Sequence, residues 1–248
     1  MSKKRILIAQ NTPLNLTPYT QLEEKFDVEI EFKRFFMVEP LTSREFREQK
    51  VNLADFTAIV FSSRHAIDAY FRLTEELRIK VPDTMKYFCT TEAVAMYLQK
   101  HSVYRKRKIF FGNGTPQSVL NLIGTKHSGE NFLITMTDGA NSDSTTRLFD
   151  EAGLKYTAAS VIKAVPQDLK SLELGNYDII VLYNPNDVKS LFVNFPQFTQ
   201  GDIKFVAYGK SIVSAMESAG LHPDVKAPTP QMPSVALALA AFLSNDKS

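Results

Sequence analysis

Ala58-Ile-Val-Phe-Ser-Ser-Arg-His-Ala-Ile67 sets four apolar residues before a polar Ser-Ser step and then the start of a helical pattern. A short, unbroken apolar run is the mark of a strand buried on both faces, because a sheet covered on each side has no wet face to impose alternation. The same reading applies to Arg5–Ala9, Tyr87–Cys89, Lys108–Phe111, Phe132–Thr135, Ile179–Tyr183 and Phe205–Tyr208, most of them rich in Ile, Val, Phe and Tyr. Between the runs lie helical patterns at Pro18–Lys25, His65–Leu77, Glu92–Lys100 and Pro116–Ile123, and then at Thr145–Ala152, Val188–Phe192, Ser211–Ala219 and Ser234–Leu243. Strands alternating with helices predict an α/β fold with parallel sheets and helices on both faces.

The chain also reads as internally duplicated. Lys4–Pro40 lies on Glu130–Pro166 without a gap, at a constant offset of 126, so that Leu22 meets Leu148, Phe36 meets Ile162 and Pro40 meets Pro166. The opening stretch matches Ile180-Val-Leu-Tyr-Asn-Pro-Asn-Asp-Val-Lys189, and Tyr87-Phe-Cys-Thr-Thr-Glu-Ala93 matches Ala207-Tyr-Gly-Lys-Ser-Ile-Val213. Thr115-Pro-Gln-Ser-Val-Leu120 echoes Gln231-Met-Pro-Ser-Val-Ala236. Repetition in this order predicts two similar α/β units. No Gly/Ser-rich linker separates them. The expected connectors are extended segments, Glu31–Val38 and Thr157–Val165, running to Pro40 and Pro166, since proline biases the residue before it towards extended backbone.

Composition narrows the function classes. Of 248 residues, 44% are hydrophobic and 23% charged, which is ordinary for a globular chain, and the formal charge is only +2. That balance gives no reason to expect a nucleic-acid or membrane-surface partner. The basic opening, Met1 to Arg5, is followed only by Ile6–Ala9 as an apolar run, too short for a signal peptide. Cys89 is the sole cysteine, so no intramolecular disulfide forms, and His65, His101, His127 and His222 show no metal-ligand spacing. A cytoplasmic monomer without metal or other cofactor is expected.

Ligands of doubly wound sheets bind beyond the carboxyl ends of the strands, where loops open the next helix. The candidate loops carry Ser62, Ser63 and Arg64, Thr90 and Thr91, Gly112 to Thr115 including Asn113, and Thr137 to Asn141. The second set is Asn184, Pro185 and Asn186, then Gly209, Lys210 and Ser211. Free N–H groups and the positive end of the helix dipole suit each loop to an anion. Plain helix capping by Ser, Thr and Asn is the competing reading of any single loop. Other features read as structural. Arg105-Lys-Arg-Lys108 is a solvated basic face, Gly112-Asn-Gly114 is turn chemistry, Cys89 is a small buried residue, and Thr42-Ser-Arg-Glu45 has capping-box spacing. No Ser/His/Asp or paired-carboxylate constellation is evident.

Over essentially its whole length the chain resembles the uroporphyrinogen-III synthase family. The resemblance rests on Ile59-Val-Phe-Ser-Ser-Arg-His-Ala-Ile67, on Val206-Ala-Tyr-Gly-Lys-Ser-Ile-Val213, and on Gly220-Leu-His-Pro-Asp-Val-Lys-Ala-Pro-Thr-Pro-Gln231. It implies two parallel-sheet, flavodoxin-like domains, residues 1–34 plus 169–248 and residues 41–158, joined by a two-stranded β-ladder with connectors at about 31–40 and 157–166. It also implies an active cleft between the domains. The implied substrate is the linear tetrapyrrole hydroxymethylbilane, cyclised to uroporphyrinogen III in haem biosynthesis with inversion of ring D and loss of water. Against the family pattern, a tyrosine falls on Ile162, a threonine on Glu92, paired threonines on Ser211 and Ile212, and an arginine is missing around Gln10 and Asn11. The alternative is a non-catalytic, hinged two-domain protein that captures a polyanionic small molecule, since the same architecture serves both roles. A response-regulator-like pair is disfavoured because no acidic cluster follows the first strand.

Overall fold

The central strands, such as Ala58–Phe61 and Ile179–Leu182, are apolar and buried on both faces, and two largely parallel sheets form around them. The computed structural model describes residues 3–103, 105–139 and 144–245. In chain order the elements begin β1 (Lys4–Ile8), α1 (Thr17–Phe26), β2 (Val28–Phe32), β3 (Phe36–Pro40), α2 (Ser43–Glu48), β4 (Ala58–Phe61) and α3 (Arg64–Glu76). They continue β5 (Lys86–Cys89), α4 (Glu92–Tyr97), β6 (Ile109–Phe111), α5 (Pro116–Ile123), β7 (Phe132–Thr137), α6 (Ser144–Glu151) and β8 (Tyr156–Pro166). The last are β9 (Ile179–Leu182), α7 (Pro185–Asn194), β10 (Lys204–Tyr208), α8 (Lys210–Ser218), β11 (Val225–Ala227) and α9 (Val235–Asn245).

The chain divides into two units, Met1–Met37 with Val165–Ser248, and Val38–Ala164. In the first the strand order is β11-β10-β9-β1-β2, and its contacts are parallel. Renumbered within the unit, that is the 2-1-3-4-5 order of flavodoxin-like sheets, with the order reversing between β1 and β9. Ile179 and Val181 face the layer of α1 and α9, while Ile180 and Leu182 face that of α7 and α8. Burial on both faces is why this strand reads as Ile-Ile-Val-Leu rather than as an alternation. In the second unit the order is β3-β8-β7-β4-β5-β6. Ile59 and Phe61 face one helix layer, and Ala58 and Val60 face the other.

The duplication is written into the registers. Lys4 pairs with Val28 across β1 and β2, and Phe132 pairs with Tyr156 across β7 and β8, a spacing of 24 residues in both units. A strand-helix-strand hairpin of one length therefore occupies the same place in each sheet. Registers also correct the alignment of the other strands. Ile6 pairs with Ile179 and Phe132 with Ala58, so Ala58 corresponds to Ile179, one residue before the match drawn from apolar runs. Ala58 pairs with Lys86 and Ile179 with Lys204, which makes Thr90 the counterpart of Tyr208, two residues from the match drawn in sequence. Helix starts agree, since Ser63 and Asn184 are equivalent N-caps, as are Thr91 and Gly209.

The segment 31–38 is not one extended connector. β2 ends at Phe32 inside the first sheet, and the Lys33 N–H turns to the Ile8 carbonyl. Phe35 is fully buried, and its carbonyl accepts from the Gln167 N–H and the Ser190 hydroxyl. β3 then runs antiparallel to β8, with the Leu41 N–H bonded to the Val161 carbonyl and Gln167 to Phe35. Thr42 and Glu45 form the capping box that their spacing suggests.

Candidate functional site

β4, β5 and β6 are neighbours, so the loops at their carboxyl ends lie side by side. They are also tied together. The Thr90 N–H donates to the Phe61 carbonyl and its hydroxyl to the Ser62 carbonyl, while the Gly114 N–H donates to the Thr90 carbonyl. Ser63 caps α3 by accepting from the Ala66 N–H at 3.1 Å, and Thr91 caps α4 by accepting from Val94 at 3.3 Å. The remaining N–H groups of α3's first turn have no partner within the helix, which leaves donors at a positive helix end. Arg64 opens α3, with its guanidinium 5.4 Å over the Tyr97 ring. The structure therefore brings Ser62, Ser63, Arg64, Thr90 and Thr91 to one edge of one unit.

Asn113 lies on the same edge but is occupied with its own turn. Its Oδ1 accepts from the Thr115 N–H and hydroxyl, and its N–H donates to Ser118 Oγ at 3.0 Å. Gly112 leaves room for that bond, since a Cβ there would meet Ser118 Oγ at 2.1 Å and force the hydroxyl to move. Asn141, with Ala140, lies outside the described residues. Thr137 ends β7 and the exposed Asp138 follows it, at the switch point of this sheet.

In the first unit Asn184 caps α7 by accepting from the Asn186 N–H at 2.9 Å, so both asparagines are engaged in the cap. Gly209, with φ of 128°, opens α8, and its N–H donates to the Ala227 carbonyl at 2.6 Å. Lys210 and Ser211 are exposed in the first turn of α8, whereas Ile212 is fully buried. Asn184 and Asn186 follow β9, and Gly209 to Ser211 follow its neighbour β10.

Three residues that sequence reasoning did not single out stand in the same place. Asp187 is only 1% exposed; its Oδ2 accepts from the N–H groups of Tyr183 and Asn184, both at 2.9 Å, and its Oδ1 has no partner. Burial raises its carboxyl to about 6, against the two N–H bonds, which pull it down. Tyr183 follows β9 and Tyr208 ends β10, with ring centroids 5.6 Å apart. The Tyr208 hydroxyl donates to the Pro233 carbonyl at 2.7 Å. Burial, and then neighbouring Tyr19, push the Tyr183 phenol far up, so it stays neutral. An alignment anchored on the N-caps instead of the apolar runs would have exposed both tyrosines, because it sets them against Ser62 and Thr90.

Ile162 proves to be a core position. The register between β7 and β8 slips after Met136–Ser160, so that Thr137 faces Ile162, and Ile162 joins Ala159 and Val161 in one buried cluster. A phenol placed here would enter that core. Cys89 is fully buried and its thiol is pushed up to about 12 by burial, as suits a packing residue rather than a nucleophile. Among the described residues no group of His, Cys, Asp and Glu is placed to hold a metal, and no helix is long and apolar enough to cross a membrane.

A family profile described as Uroporphyrinogen-III synthase HemD matches residues 30–236. No curated protein matches the sequence. Among solved structures, a uroporphyrinogen-III synthetase from Helicobacter pylori 26695 has a TM-score of 0.58 at 15% identity, covering 98% of this chain and 99% of that one. A mutant uroporphyrinogen III synthase from the extremely thermophilic bacterium Thermus thermophilus has a TM-score of 0.56 at 16% identity, covering 99% of this chain and 100% of the other. At such identities the two structures support the fold.

Proposed function

Because the chain belongs to the uroporphyrinogen-III synthase family, we propose that it is a cyclising lyase that converts hydroxymethylbilane to uroporphyrinogen III. The observation that carries this function is the family match across residues 30–236. The polar loops at the carboxyl edge of each sheet agree with it, since the substrate is a polycarboxylate. Ser62, Ser63, Thr90 and Thr91 on one unit, and Asn184, Asn186, Lys210 and Ser211 on the other, are the proposed seats for its carboxylates. Their hydroxyls, amides and N–H groups, with Arg64 and Lys210 as cations, favour anions at helix starts.

The chemistry asks little of side chains. The pyrrole nitrogen pushes out the hydroxyl, which leaves as water with a proton. The substituted carbon of ring D then attacks the resulting electrophile to give a spiro intermediate, which fragments and recloses with ring D inverted. Holding the bilane so that the hindered carbon is presented is catalysis by orientation. With Ile162 in the core, no phenol is supplied from that position. A capture protein without turnover shares the architecture, but the family match does not favour it. Action as a cytoplasmic monomer belongs to the same proposal; the buried lone Cys89 fits a reducing compartment. The test is the decay of hydroxymethylbilane with and without the protein. Consumption well above the spontaneous rate is expected, and equal rates would refute turnover.

A further inference from the structure

The two sheets are copies, so positions that the registers make equivalent can be compared directly. Where one unit places Ser62 and Thr90 just after its central strands β4 and β5, the other places Tyr183 just after β9 and Tyr208 at the end of β10. The fold itself therefore does not demand aromatic rings at these two positions, because its second copy does without them. Half-buried tyrosines at strand ends commonly just rim a core, and these two do pack against the α1/α9 layer. Three further observations point beyond packing. Both rings stand at the carboxyl edge, Tyr183 beside the β1/β9 switch point where such sheets take ligands and Tyr208 on the neighbouring strand β10. Rings from two other elements join them, with Tyr19 beside Tyr183 and Phe32 at 5.0 Å from Tyr19 in a T-shaped pair. Tyr208 is tethered through its hydroxyl to the Pro233 carbonyl, which anchors the far end of its ring.

We propose that Tyr183 and Tyr208 form a seat for one pyrrole ring of the linear tetrapyrrole. This assignment rests on the function proposed above. A pyrrole is a flat, electron-rich ring with one N–H, and it meets tyrosine faces in offset-stacked or edge-to-face contact. The seat is uncharged, so it neither competes with the cationic and N–H groups for the carboxylates nor repels them. Holding a ring by its face and the arms by their charges fixes the ring's orientation, which is what decides the isomer formed.

The test is steady-state kinetics with isomer analysis on Tyr183→Leu and Tyr208→Leu, each beside its phenylalanine variant. Each leucine variant should raise KM about threefold to tenfold, with phenylalanine restoring it to within about twofold. Wild type that yields type III, with leucine variants unchanged in KM and isomer ratio, overturns the ring seat alone. Wild type that yields only type I overturns the proposed function, and the seat with it. Should the leucine variants not fold, ring-labelled tyrosine in the wild type gives a second measurement. Adding uroporphyrin III should shift the signals of Tyr183 and Tyr208, identified through the phenylalanine variants, by the ring current of the stacked macrocycle. Saturation without such shifts would also overturn the seat.

Discussion

Replacing Asp187 by asparagine should remove a pH-dependent strain from the first unit. The carboxyl is 1% exposed and is raised from 3.8 to about 6, chiefly by burial. A raised carboxylate binds its proton more tightly in the folded protein than in the unfolded chain. Stability is therefore highest below the unfolded value near 4, falls as pH rises, and levels off above about 6. Two pKa units correspond to about 3 kcal/mol lost across that window. Asp187→Asn is the comparison to make, because the oxygen of the new amide can still accept from Tyr183 and Asn184. The amide nitrogen then takes the unpartnered position, at a cost that does not vary with pH and cancels when differences are compared. The assay is thermal melting of wild type and variant at intervals from pH 4 to pH 8. Between these limits the difference in Tm should change in favour of the variant by about 6–12 °C, taking about 2–4 °C per kcal/mol. Parallel curves, displaced by the same amount at every pH, would refute the buried, strained carboxylate.

Glu45 is held down at about 2, first by its hydrogen bond to Lys163 at 2.6 Å and then by the Thr42 N–H and hydroxyl. Its stabilising contribution is present above the unfolded value of 4.5 and disappears as pH falls through about 2, and Lys163→Ala should move its NMR titration upward. Gly112→Ala should cost about 1–3 kcal/mol through the clash with Ser118, and Ser118→Ala should recover part of it in a double-mutant cycle of urea melts. Alanine at Ser62, Ser63, Thr90, Thr91, Asn186 or Ser211 should each cost about 1 kcal/mol of transition-state binding, roughly fivefold in kcat/KM. One such change abolishing turnover in a folded protein would contradict recognition spread over many loops.

The fold class was legible because fully buried strands write themselves as unbroken apolar runs, and Ala58–Phe61 and Ile179–Leu182 are two such runs. β11 was not legible, since Val-Lys-Ala at a sheet edge is too short to carry a period. β2 was missed, and its last two residues fell into the connector read from Glu31, because Val28–Phe32 alternates apolar and charged residues like any extended segment. Polar loops could be placed at strand ends, but hydrogen bonding decides what each can do: Asn113 is consumed by its own turn, whereas Arg64 and Ser211 are exposed. Ile162 could not be read as core, because the β-bulge that turns it inward depends on how β8 pairs with β7. Asp187 escaped notice because a carboxylate three residues after an N-cap is ordinary sequence, and only burial makes it unusual.

The most direct measurement is the isomer ratio formed from hydroxymethylbilane by the purified protein, read after oxidation of the products to porphyrins. No nucleotide, metal or other cofactor is added, and a chelator is present. A tetrapyrrole cyclising on its own closes without inverting ring D and gives type I. The orientation of the bound bilane should instead yield type III as the main product, in proportion to protein concentration. Type I alone, at the spontaneous rate, would contradict the account.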